Sequence, residues 1–120
     1  MKVVWAPRAE KQVDEAMAYL DRVGVDVAQA WLGRLLERVA ALTRFPDVGR
    51  RVPELDRDDV REIIVGPYRV VYRRRTDIVQ VVGVHHHARD FLRAVVEGLS
   101  DVEDGRELDL AEAKRQIELD

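Results

Sequence analysis

Between residues 44 and 60 the spacing of apolar side chains changes period, and that change limits the folds open to this chain. Before it, Ala9, Val13, Ala16, Met17 and Leu20 recur every three or four residues, and so do Val27, Ala28, Trp31, Leu32, Leu35, Leu36, Val39 and Leu42. Such spacing lays one apolar stripe along each of two helices, predicted here over residues 7–22 and 26–44. Pro7 stands in a first turn, where its missing N–H removes no helical bond. Gly24 ends the first helix, and the short link makes the pair an antiparallel hairpin. Arg34, Glu37 and Arg38 fall on its water side. After residue 60 the pattern is that of strands: Val60–Val65, Tyr68–Arg73 and Ile78–Val84. Gly66-Pro67 and Arg75-Thr76-Asp77 are too short to join them in any way but antiparallel.

The third of these runs is apolar on both faces, which predicts a central place in a sheet covered by helices on one side. Val3 to Trp5 reads as an opening strand, Phe45-Pro46-Asp47-Val48-Gly49 as a break, and residues 50–59 as a loop or edge strand. Phe91, Leu92, Val95, Val96 and Leu99 suggest a further short helix. The expected order is β-α-α-β-β-β with a C-terminal helix. That is an α+β fold in two layers: a helical hairpin packed on a curved, mostly antiparallel sheet.

Charge divides the 120 residues unequally. Residues 98–120 hold three basic and eight acidic side chains, whereas residues 1–97 hold 17 and 15. The reading is one domain over 1–97 and an acidic tail over 98–120. Within the tail, Asp109 and Glu112 resemble an N-cap and its capping-box partner, which predicts a helix over 107–118. The tail's sign is opposite to that of the body, so one reading lays it across an arginine surface; the other makes it a solvated appendage. No cysteine is present, which excludes disulfide and thiolate chemistry and suits a reducing cytoplasm. No stretch approaches the roughly 20 apolar residues of a membrane helix, and the opening residues lack the apolar core of a secretory leader. A soluble, cytoplasmic protein is expected.

Several segments, read together, resemble the ParE-like toxins of the RelE/ParE superfamily. They are Trp5-Ala6-Pro7-Arg8-Ala9, the stretch from Phe45 to Leu55, Val60-Arg61-Glu62, the stretch Val65-Gly66-Pro67-Tyr68-Arg69-Val70-Val71-Tyr72-Arg73, and Val84-His85-His86-His87-Ala88-Arg89-Asp90. The likeness spans about residues 1–95. It implies the toxin of a type II toxin–antitoxin pair, halting growth and silenced by a cognate antitoxin whose disordered segment wraps the toxin, with an oligomer of the two expected. It also implies one of two targets. ParE-type members poison DNA gyrase without nuclease chemistry, whereas RelE-type members are endoribonucleases that cut mRNA on the ribosome. The residues favour the first. Phe91 stands where the nucleases place a tyrosine, the lysines are only Lys2, Lys11 and Lys114, and the isoelectric point near 5.6 is low for docking on RNA phosphates. A non-toxic interaction module derived from the family is a third reading.

Arg69 is the first candidate for contact with antitoxin or target, because a charge between apolar neighbours on a central strand needs a partner. An internal ion pair with Glu62, Glu54 or Asp90 is the alternative. Arg61 and Arg73 would complete a cationic patch with it, or line a solvated sheet face. Arg89 matches the family's His-X-Ala-Arg-Asp segment, with a salt bridge to Asp90 as its plain reading. Were the chain a ribonuclease, the catalytic set would be Arg69, His86 and Arg89. His86 would carry the proton and Arg69 would stabilise the phosphorane. Otherwise no catalytic residue is assigned. His85 and His87 would share one strand face, half a metal site at best, so no metal and no cofactor are implied. Tyr68 and Tyr72, like Trp5 and Trp31, read as core beneath the helices.

Overall fold

The computed structural model describes residues 1–87, 91–103 and 108–109. Its elements are β1 (Lys2–Trp5), α1 (Pro7–Asp21), α2 (Val25–Ala41), β2 (Arg50–Arg51), β3 (Val60–Val65), β4 (Tyr68–Arg74), β5 (Ile78–His86), α3 (Phe91–Glu103) and β6 (Leu108–Asp109). The sheet order is β2-β3-β4-β5-β1-β6. Neighbouring strands run antiparallel except β1 and β5, which are parallel. This is the expected α+β fold, with the 50–59 segment contributing a two-residue edge strand.

The predicted helical hairpin forms as its stripes require. Ala9, Val13, Ala16 and Leu20 of α1 and Ala28, Trp31, Leu32, Leu35 and Val39 of α2 are buried, and Val27 alone of the predicted stripe stays largely exposed. Pro7 opens α1 directly after Ala6, whose N–H donates to the Val81 carbonyl and so ties the helix start to the sheet. Trp31 anchors α2: its indole N–H donates to the Val65 carbonyl at 2.9 Å, and its ring packs on Tyr68 with centroids 5.1 Å apart. Full burial of such side chains contributes about 1.5–3 kcal/mol each. The β3–β4 hairpin closes through Gly66 at φ 58, a backbone angle that costs other residues strain, while Pro67 suits the second turn position. That turn pins the register Val65↔Tyr68 through Val60↔Arg73.

Two expectations are corrected. The apolar run of β5 was expected to lie under helices on one side only, yet Val4, Gln80, His85 and Val71, which alternate away from the helical hairpin, are buried too. α3 packs against β5 so tightly that Gly98 stands where a Cβ would lie 2.5 Å from the Val82 carbonyl oxygen. A strand with both faces covered reads as a continuous apolar run, and that pattern does not say how many layers cover it. The second correction concerns the tail. Leu108–Asp109 is extended and pairs with β1 (Trp5↔Leu108, Val4↔Asp109), so the predicted helix does not include these two residues. The open edge of β1 supplies the backbone of these two residues with partners that a reading of local spacing does not include. The remainder of the predicted 107–118 helix lies outside the described residues. α3 itself runs across the 97/98 boundary, because the apolar series Val95, Leu99 and Val102 outlasts the change in charge.

Candidate functional site

Alternation along a strand decides what the candidate residues can do together. Arg69 pairs with Ile64 and His85, and Arg73 with Val60 and Gln80, so these two arginines share one face of β4. Arg61 pairs with Tyr72 and lies on the other face, and His86 pairs with Tyr68 on that same opposite face. The fold therefore brings Arg69 together with Arg73 and separates both from Arg61 and His86. Arg89 lies outside the described residues.

On the Arg69 face the charges are matched internally. Glu62, 1% exposed, accepts from Arg69 Nε at 2.7 Å and from Arg50 Nε at 2.6 Å. Glu54 closes a bidentate pair with the two terminal nitrogens of Arg69, at 3.0 and 3.1 Å. Fork-to-fork pairs of this kind are the strong form of the charge-assisted hydrogen bond. Burial opposes the Arg69 charge, but its bonds to Glu54 and Glu62 outweigh that and hold the guanidinium above its ordinary value. The same contact, with Arg69 donating, holds the Glu54 carboxyl below the usual glutamate range. Arg73 reaches Asp59 at 3.3 Å, and Asp59 is held below its usual value chiefly by hydrogen bonds from Arg57. Of the ion-pair partners read from the sequence for Arg69, Glu62 and Glu54 are both used; Asp90 lies outside the described residues.

Arg61, on the opposite face, is also engaged. It donates to the Gly49 carbonyl at 2.9 Å and to Asp58 at 2.9 Å. Arg74 joins Asp58 at 3.0 Å and bonds Asp47, and these contacts fasten the 47–59 segment to the sheet. Tyr72 completes the fastening from beneath: its hydroxyl donates to the Pro46 carbonyl at 2.7 Å and accepts from the Gly49 N–H at 3.0 Å. Burial pushes its phenol above the ordinary tyrosine value. Gly49 has to be glycine here, since a Cβ would lie 2.6 Å from the Tyr72 oxygen and 2.7 Å from the Glu62 carbonyl.

His86 belongs to a different place. With Gln12, Glu15, Ala16 and Tyr19 of α1 and with Tyr68 and Val84 it lines a cleft of about 310 Å³. Its ring lies 5.4 Å from that of Tyr68 and 6.0 Å from that of Tyr19, both at steep angles, and stacks on His87 at 4.7 Å. Gln12 joins the two layers by accepting from the Val84 N–H at 2.9 Å. Sequence reasoning missed this cleft. Gln12, Glu15 and Tyr19 do fall on one row of α1 at spacings of three and four, but which strand residues face them depends on the sheet register. His85 is buried and His87 sits at the turn with Nδ1 3.0 Å from the Pro67 carbonyl oxygen, so the three histidines serve three settings. Among the described residues no three histidine or carboxylate side chains converge as a metal site would require.

The architecture is thus a helical hairpin on a mixed, mainly antiparallel sheet with arginines on its central strands. The family model for the ParE toxin of type II toxin-antitoxin system, parDE, matches residues 3–91, and the chain belongs to that family. Among solved structures the fold is similar to one described as the chromosomal ParDE TA system from P. aeruginosa, with a TM-score of 0.59 and 19% identity over 72% of this chain and 95% of that one. No curated protein matches significantly.

Proposed function

We propose that this toxin is neutralised in the cytoplasm by a cognate antitoxin that forms an oligomer with it, and that its target is DNA gyrase. The observation that carries the choice of target is the separation of Arg69 from His86. A ribonuclease centre needs its proton carrier and its phosphate stabiliser within reach of one phosphate. Here the two side chains leave β4 and β5 on opposite faces, and Arg69 is already bound by two carboxylates. The structural neighbour from P. aeruginosa is part of a toxin–antitoxin system, which supports an antitoxin partner here. Arg61, Arg69 and Arg73 act as contact positions by exchanging an internal carboxylate for one on the partner, and Arg89 of the family segment joins them. The toxin domain of residues 1–97 is completed by the rest of α3, and the acidic stretch beyond that helix is its tail. Among the described residues no helix is long and apolar enough to cross a membrane.

Induction in cells separates the targets. We expect a DNA-damage response and filamentation with mRNA left whole, and relief by the protein encoded in an adjoining reading frame. Prompt mRNA cleavage with translation arrest would establish the ribosome-dependent nuclease instead, and an absence of growth arrest would point to the non-toxic module.

A further inference from the structure

The cleft between α1 and the β4–β5 hairpin differs from the sheet arginines in one respect. Around Arg69, Arg61 and Arg74 every carboxylate is taken, whereas Glu15, at the cleft, forms no ion pair among the described residues. The other walls are aromatic or small: Tyr19, half exposed, Tyr68, His86, Ala16 and Val84, with Gln12 held by the Val84 N–H. An opening of about 310 Å³ is at the lower end of sites for small ligands, roughly 300–1,000 Å³, and has room for one long side chain.

Three aromatic rings bordering one carboxylate favour a cation. The ring faces carry partial negative charge, and a guanidinium both stacks on them and pairs with a carboxylate in its plane. An anionic group would meet Glu15 without a compensating donor of full charge, and a purely apolar one would leave Glu15 unused. We infer that this cleft takes the arginine side chain of a peptide partner, with Glu15 as the counter-ion and Tyr19, Tyr68 and His86 as the walls. The cleft serves this role whichever target the toxin poisons.

The 120-residue chain, labelled for amide NMR, is titrated with acetyl-Gly-Arg-Gly-amide and with the same peptide carrying norleucine or glutamate in place of arginine. The arginine peptide is expected to shift Gln12, Glu15, Tyr19, Val84 and His86 in a saturable way, with a Kd on the order of 1 mM. E15Q should weaken it about threefold, the size of an exposed ion pair. Tyr19→Ala should cost about two- to fivefold, the size of an exposed cation–π contact. Both side chains are exposed, so neither change endangers the fold. Equal binding by the norleucine peptide, tighter binding by the glutamate peptide, insensitivity to both variants, or the lack of any saturable shift would each overturn the assignment.

Discussion

On one face of the β4–β5 hairpin Arg69 and Arg73 meet Glu54, Glu62 and Asp59; on the other, Tyr68 and His86 meet Tyr19 and Glu15 of α1. The first face is rich in charge and has little to offer a ligand without rearrangement, because its charges are already satisfied. At its cleft the second offers Glu15 beside Tyr19 and Tyr68, and among the described residues that carboxylate forms no ion pair. Counting arginines along a strand therefore measures how much internal pairing a fold must supply, and the place left over for a partner lies where pairing is incomplete.

The largest test of this contrast is Glu62→Ala. Arg69, whose side chain is 12% exposed, would lose its buried partner Glu62 while its pair with Glu54 remains. Breaking a buried pair from one side costs about 3 kcal/mol, read as a lower urea midpoint. Exchanging Glu62 and Arg69 together for leucine and methionine should recover much of that loss, since two well-packed apolar groups replace the pair. An unchanged midpoint for the single variant would mean that the pairs on this face are ornamental. Gly83→Ala comes next. A Cβ there would lie 2.2 Å from Nε2 of the buried His85 ring, and such overpacking costs about 1–3 kcal/mol, so a neutral result would show that the face is looser than its burial implies.

Much of the fold was legible in the sequence because periodicity is local. The stripes of α1 and α2 and the three strands at 60–84 follow from side-chain spacing, and the Gly66-Pro67 turn sets the register of β3 and β4. What was not legible depends on contacts distant in sequence. The second cover over β5 comes from residues more than a dozen positions away, and β6 forms because the edge of β1 is open, not because Leu108 and Asp109 favour strands. The site followed the same division. Glu54 and Glu62 were readable as partners of Arg69 on charge alone. That Arg61 and His86 leave the sheet on the side opposite Arg69 required knowing which residues stand across from one another.

A third, smaller effect is acid sensitivity on the arginine face. Arg69 lowers Glu54, and Arg57 with Arg73 lowers Asp59. A carboxylate whose folded value is depressed contributes stability that is complete above its ordinary unfolded value, near 4, and is lost as pH falls through the folded value. Urea midpoints should hold level from neutrality down to about pH 5 and fall below about pH 4. Arg69→Met should flatten that fall; an identical slope in the variant would remove Glu54 from the explanation. The smallest effect is expected on the other face. Glu15→Gln should change stability by no more than about 0.5 kcal/mol, since Glu15 is exposed and forms no ion pair among the described residues. A larger loss would show that the carboxylate has a structural duty.

A toxin that acts without cutting RNA is the central claim. Purified protein added to a gyrase supercoiling reaction, in parallel with translating ribosomes and end-labelled mRNA, tests it most directly. Supercoiling should fail or stall at cleaved DNA while the message stays intact. Intact supercoiling together with cut message would contradict the claim, and would require Arg69 and His86 to reach one phosphate from faces the sheet keeps apart.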